Sequence, residues 1–466
     1  MKRFILFVLF LMSFAPLWAM AEESEALPQP AAPPILSLTD ILRDVYLDNP
    51  TIEQARSELK AVHESLPQAH AGWKPSVDAT AAITAADIDG SNFGGSDGST
   101  EKAIGIGLNQ PLFRGGRTLA EIRAAKYEIA AARFAILNVE QDVLLLAVQV
   151  YMDVIRDRAL VRLGQQNRDV ILRQLEATRE RFEVGELTRT DVAQAEARLA
   201  RAEADLITAR ANMKTSRAAF VNVIGETPGR LVEPEITVSL PGDLEDATQI
   251  ALDQAPSVLE AVASHAASEK EVDSVYGELL PEVSFNALWD RSYDPQPGSI
   301  DESTTRSVGI SASIPLYQAG SVRSRVRQAK QLSNRDYIDI LEEKRSARER
   351  VVAAWEQLEA ARAEIDARNA QIRAAEIARE GVYQEEQVGA RTVLDTLDAD
   401  QELLDAEVSL VTAGRNEVVA TFTLAAALGI LTPVNLGFPE VQKDYDEHLN
   451  AIEHTILSLS ADPLAD

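Results

Sequence analysis

Asp395 and Asp398 are the residues best placed to do chemistry. In Val393-Leu394-Asp395-Thr396-Leu397-Asp398 they stand three apart, so on a helix both carboxylates leave from one face. Acids held close together resist ionising together and attract cations, as at a cation site or a charged constriction. The same spacing also fits a solvated face of an acidic protein, because 45 basic residues stand against 73 acidic ones, a net charge of −28. His63 and His70 lie one heptad apart, and His448 and His454 fall near the end, without cysteines or paired carboxylates at ligand spacing. They are expected to be packing or surface histidines, with no metal and no cofactor. Gly105-Ile106-Gly107 lacks the third glycine of a phosphate loop and runs on into alternating residues. No Ser/His/Asp order stands out, so enzymatic activity is not expected.

The acidic balance excludes sequence-independent binding to nucleic-acid phosphates. The absence of cysteine among the 466 residues excludes disulfides, thiolate metal sites and acylation of an N-terminal cysteine. Lys2 and Arg3, the apolar run from Phe4 to Trp18 and the small residues of Ala19-Met20-Ala21 read as an export signal over 1–21, cleaved before Glu22. The mature chain then stands at −30. No later apolar run approaches the ~20 residues of a spanning helix. The mature chain is therefore soluble outside the cytoplasm or crosses a membrane as β-strands.

The elements that must position the acids come in duplicate. Ile104-Gly105-Ile106 through Pro111-Leu112-Phe113 recurs as Val308-Gly309-Ile310 through Pro315-Leu316-Tyr317, 204 residues later. Val184-Gly185 with Thr190-Asp191 recurs as Val388-Gly389 with Leu394-Asp395 at the same offset. This marks repeats over 38–230 and 243–435, after an N-terminal extension over 22–37. A linker over 231–242 joins them, and a C-terminal equatorial segment and tail follow over 436–466. Length alone suggests about three compact domains. Residues 118–184, however, hold no proline and one glycine, and 321–388 are alike, so each reads as a rod of about 100 Å. Gly185 and Gly389 end the rods and let return helices over 188–223 and 392–428 fold back. Helices near 38–70 and 244–278 open the repeats.

Between opening helix and rod the period becomes two. Val77, Ala79, Ala81 and Ile83 alternate with mostly polar neighbours, as do Val283, Phe285, Ala287 and Trp289. Strands are expected over 76–87, 102–112, 282–293 and 304–316, each the length of a tilted transmembrane β-strand. Alternation alone also fits ordinary soluble hairpins.

Asn109-Gln110-Pro111-Leu112-Phe113-Arg114-Gly115-Gly116 and Ser313-Ile314-Pro315-Leu316-Tyr317-Gln318-Ala319-Gly320 resemble the strand-to-helix junction of the TolC family of outer-membrane efflux and secretion channels. Pro111 and Pro315 suit it because proline ends a ladder without orphaning a donor. The resemblance covers about Leu36 to Gly437. It implies a mainly α fold with a β-barrel part: four transmembrane strands per chain, closing in a homotrimer as a 12-stranded barrel on a long α-helical barrel. It places the protein in the outer membrane of a Gram-negative bacterium, among outer-membrane lipid and extending into the periplasm. The implied partners are a periplasmic adaptor (membrane fusion protein) and an inner-membrane transporter of ABC or RND type. With no cysteine after the signal, the chain looks like the TolC-like, type I secretion branch. The rival reading is an exported periplasmic coiled-coil adaptor.

By the same resemblance the turns at Gly185 and Gly389 lie at the periplasmic entrance. Asp395 and Asp398 match an aperture ring, six acids around a threefold axis, where repulsion should raise some pKa values. Arg391 matches a position that bonds to a threonine, here Thr190, and Asp191 and Gln174 fall on gate positions. The expected tyrosine and glutamate are interchanged as Glu386 and Tyr383, so Asp191 opposite Glu386 is expected to repel.

Overall fold

The computed structural model describes residues 35–88, 97–234, 238–296 and 300–453. The expected export signal, most of the N-terminal extension, His454 and the end of the tail lie outside these residues. The described residues open with β1 (Ile35–Leu36), α1 (Leu38–Asp48), α2 (Pro50–His63) and α3 (Ser65–Ala71). A hairpin of β2 (Ser76–Ile88) and β3 (Asp97–Arg114) leads into α4 (Arg117–Glu183) and its return helix α5 (Arg189–Ile224). After β4 (Arg230–Leu231), the order recurs as α6 (Leu244–Gln254), α7 (Pro256–Gly277), β5 (Glu282–Gln296), β6 (Ile300–Ser313), α8 (Ser321–Gln387) and α9 (Val393–Ala427). The last described helix is α10 (Asp446–Glu453).

The opening helices are broken where single ones were expected. Asn49 and Ala255 precede prolines and take extended ψ values of 126° and 125°. A proline ring disfavours the helical region for its predecessor and starts the next helix without needing an N–H. Asn49 then caps α2 through Thr51 N–H at 2.9 Å, and its amide donates to the Val223 carbonyl at 2.8 Å.

α4 and α8 each run 67 residues, about 100 Å at 1.5 Å per residue. The main core lies halfway along α4, where Leu144, Val148 and Tyr151 meet Ile41, Leu42 and Val45 of α1, Phe220 of α5 and Phe422 of α9, while halfway along α8 Val351, Ala354 and Leu358 pack with Ala247 and Ala251 of α6 and Leu424 of α9. The Tyr151 hydroxyl donates to the Val232 carbonyl at 2.5 Å and accepts from the Val232 N–H at 3.2 Å, tying the parallel β1–β4 pair to α4. Among the described residues no helix is long and apolar enough to cross a membrane.

At the opposite end from the helix turns, the four long strands form one antiparallel sheet in the order β2-β3-β5-β6. Partners directly opposite in register project to the same face. Ala79 pairs with Ile106, Ile106 with Trp289 and Trp289 with Arg306, while Leu108, Ala287 and Val308 line up beside them. Val77, Ala81, Ile83, Ile104, Phe285 and Ile310 fall on that same face. Thr80, Gly105, Asp290 and Thr305 lie on the other. The apolar face is bare in the single chain: Ile83 is 75 % and Val308 74 % exposed. β2 and β6 each have one unpaired edge.

The two prolines at the junctions behave differently. β6 ends at Ser313, so Pro315 lies past the ladder at the sheet's edge. β3 is internal and continues through Pro111 to Arg114, pairing with β5 across a register shift between Pro111 and Phe113. The bulge absorbs the missing donor, because Val283 and Glu282 of β5 still find partners in Phe113 and Arg114.

Candidate functional site

The acids sit where α4 and α8 turn back. Gly185 and Gly389 take φ values of +84° and +76°, a left-handed conformation that glycine adopts without strain. Around each, the last carbonyls are satisfied in the same way. Gly185 N–H reaches Phe182 and Glu186 N–H reaches Arg181, and Gly389 N–H reaches Glu386 and Ala390 N–H reaches Glu385. This double bond pattern closes a helix and redirects the chain.

The return helices start on identical capping boxes. Thr188 N–H donates to Asp191 Oδ2 at 2.8 Å and the Thr188 hydroxyl to the same oxygen at 2.7 Å, while Asp191 N–H returns a bond at 3.3 Å. Thr392 and Asp395 repeat this at 2.9, 2.7 and 3.3 Å. Each box satisfies donors that a helix N-terminus otherwise leaves orphaned. The Thr392 hydroxyl and N–H, and more weakly Arg391, hold the Asp395 carboxyl below the usual carboxylate range. Thr188 does the same for Asp191. Repulsion around a threefold axis was expected to raise some of these pKa values; within one chain the cap lowers Asp395 against desolvation alone.

Near the turns, two ion pairs join the hairpins. Arg181 on the last turn of α4 donates to Glu386 on the last turn of α8, and its Nε lies 3.3 Å from Glu186. Arg198 of α5 donates to Asp398 of α9. The Glu386 side chain is 7 % exposed and that of Asp398 56 %, so the first pair is shielded from water and the second is not. Beneath them Ile171, Leu175 and Ala195 pack with Val393 and Leu397, a small apolar plug between the two turns. A third pair, Arg379 with the largely buried Asp400 at 2.8 Å, ties α8 to α9.

The other expected gate residues fall in the same region with different partners. Arg391 Nε donates to Glu385 at 2.9 Å and its Nη1 lies 3.8 Å from Asp395, both on its own hairpin. Thr190 is exposed on the first turn of α5, Tyr383 is exposed on α8, and Gln174 is half-buried on α4. Asp191 and Glu386 are each engaged elsewhere, so the repulsion expected between them has compensation on both sides. Sequence reasoning missed Arg181, Arg198, Thr188 and Thr392. The two threonines carried a signal, Thr-x-x-Asp ahead of an apolar helix. The arginines carried none, being 205 and 200 residues from their partners. Among the described residues no group of three or more His, Asp or Glu could hold a metal ion.

Comparison with known proteins adds a family. The model described as outer membrane efflux protein matches this chain twice, over residues 41–226 and 247–430. The outer membrane efflux protein BepC of Brucella suis is 32 % identical over 419 residues, covering 90 % of each chain. The outer membrane protein TolC of Escherichia coli is 24 % identical over 426 residues, covering 86 % of this chain and 83 % of that one. Among solved structures, the outer membrane protein VceC of Vibrio cholerae is similar with a TM-score of 0.72 at 20 % identity, covering 84 % of this chain and 96 % of that one. At that identity the likeness speaks for the fold alone.

Proposed function

This chain belongs to the outer membrane efflux protein family, and from that membership we propose that it is the exit duct of a tripartite efflux or type I secretion system. Its relatives are outer-membrane channels rather than enzymes, and its place is the outer membrane of a Gram-negative bacterium, with an extension into the periplasm. The observation that carries the reading is the sheet that presents apolar side chains from all four strands on one exposed face and whose outer strands each keep an open edge among the described residues. Such edges are removed by closure, and three copies supply the twelve strands of a barrel with its apolar face toward lipid. The internal repeat of helix, hairpin, rod and return helix then builds a continuous helical barrel below it.

In this reading the helix turns form the periplasmic gate. Arg181 with Glu386 and Arg198 with Asp398 hold the two hairpins of one chain together. Parting them lets the hairpins separate in an iris-like opening. Asp395 and Asp398 supply the aperture's acids, and a wide acidic duct favours cations. A periplasmic adaptor and an inner-membrane ABC or RND transporter complete the assembly. The adaptor reading of the chain itself gains no support from relatives that are outer-membrane channels.

Purified protein in a planar lipid bilayer tests this. A trimer with stepwise conductance is the expected result, and a water-soluble monomer without conductance overturns it.

A further inference from the structure

Far from the turns, on the side of the helical body, two histidines meet out of water. His63, the last residue of α2, and His448 of α10 face each other with their Nδ1 atoms 3.3 Å apart and their rings stacked at 5.5 Å between centroids. They are 1 % and 8 % exposed, and His63 Nε2 is buried without a hydrogen-bond partner. Two neutral imidazoles satisfy this contact, because one Nδ1–H donates to the other's bare nitrogen. A charged His63 is not satisfied there, since its second proton sits on Nε2, buried without an acceptor in a poorly solvated site. We propose that the His63–His448 contact is an acid-sensitive clasp, which holds α10 against α2 and α3 at neutral pH and releases it when His63 takes up a proton.

The surroundings favour a neutral His63. Burial, with smaller contributions from His448 and Arg133, pushes His63 down to about 4. Arg133 of α4 is itself paired with Asp446 at the start of α10. A cavity of about 200 Å³ opens beside the pair and is lined by Lys60 of α2, Lys443 and Asp444 of the approach to α10, and Glu447 of α10. These charges of both signs face the rings without a dedicated carboxylate partner for either. The remaining facing groups form a separate knot: Tyr445 donates to Glu140 of α4, Arg56 Nη2 lies 3.8 Å from Glu140, and Glu53 and Tyr46 flank Arg56.

The knot responds to acid separately. Burial raises the Glu140 carboxyl, whereas its contacts with Tyr445 and Arg56 favour the charged form and weaken on protonation. For His63 the packed value lies below its ordinary 6.5. The contact is therefore fully held above pH 6.5 and weakens as pH falls from there through about 4. A release that persists when Glu140 cannot titrate therefore belongs to His63.

The chain has no cysteine, so a single Asn450→Cys on the exposed side of α10 takes a fluorophore insensitive to pH. In the detergent-solubilised trimer, probe anisotropy should fall reversibly between pH 6.5 and 4 as α10 becomes mobile. His63→Gln with His448→Gln should abolish the fall, whereas Glu140→Gln should leave its midpoint in place. Constant anisotropy down to pH 4 in an intact unmodified trimer overturns the clasp, and so does an unmoved midpoint in the double variant. If the double variant is already mobile at pH 7.5, the single His448→Gln protein decides: a shifted midpoint supports the clasp and an unshifted one overturns it. Zinc ion at pH 7.5 should change nothing, and a zinc-dependent response would make the rings metal ligands and refute the proton as trigger.

Discussion

Arg181, on the last turn of α4, donates to Glu386, on the last turn of α8, joining residues that stand 205 apart in sequence. Glu386 is the buried partner. Removing Arg181 leaves a shielded carboxylate unpaired, whereas neutralising Glu386 frees an arginine that is 37 % exposed and still has Glu186. Arg181→Ala should therefore lower stability by about 1–2 kcal/mol, the low end for lost hydrogen bonds to a charged group because water reaches one side. Glu386→Gln should cost less. Both should raise single-channel conductance. Urea midpoints and bilayer recordings read the two effects, and equal destabilisation by the two variants would contradict the asymmetry.

Asp398 offers a sharper test of the acidic aperture. Its carboxylate is shared with Arg198, so Arg198→Ala frees it and should lower the concentration of a trivalent cation needed to halve the current. Asp395→Ala with Asp398→Ala should abolish the block. Unchanged block in that double variant would falsify the aperture assignment.

Asp395 also sets a pH dependence. Its carboxyl is depressed in the folded chain by the Thr392 cap. A depressed acid keeps its contribution above the ordinary value of about 3.9 and loses it only as pH falls through the lower folded value. Cation block should thus persist unweakened from pH 7 to about 4.5. Loss of block near pH 6 would mean that repulsion among three copies outweighs the cap.

Much of the architecture was legible because it rests on local rules. A proline-free stretch bounded by glycine can only be a long helix with a turn at Gly185 or Gly389, and the alternation of Val308 and Ile310 with Gly309 and Ser311 marks a half-exposed strand. Pro50 and Pro256 were also legible, each dividing an opening helix in two, and the further break at Glu64 between α2 and α3 makes five helices of the expected two. Pro111 could not be judged locally: whether a proline stops a strand depends on whether the strand is internal, and only the pairing with β5 settles that. The acids at the turns were found, but their partners were not. Arg181 and Arg198 meet Glu386 and Asp398 only after two 100 Å hairpins lie side by side.

The turn glycines carry their own prediction. A Cβ at Gly185 or Gly389 meets nothing within 4 Å, so the penalty for alanine there is purely one of backbone conformation. Gly185→Ala and Gly389→Ala should each cost about 1–2 kcal/mol, and asparagine, which tolerates the left-handed region, should cost less. Urea unfolding of the two series measures it, and equal losses for alanine and asparagine would point to a steric cause instead.

Neighbouring residues of β6 separate the two faces of the sheet. Ile310 belongs to the apolar face through its pairing with Phe285, and Ser311 to the opposite one through Ser284. If the apolar face meets lipid, a lysine at 310 must leave water for hydrocarbon, at about 2–4 kcal/mol near the midplane. A lysine at 311 stays in the watery lumen. Ile310→Lys should thus fold poorly into lipid vesicles, while Ser311→Lys should fold normally and reduce cation conductance by adding positive charge to the pore. Folding yield after dilution from urea, read by resistance to protease, distinguishes the faces. The reverse pattern would turn the sheet inside out, and equal tolerance of both lysines would place neither face against lipid.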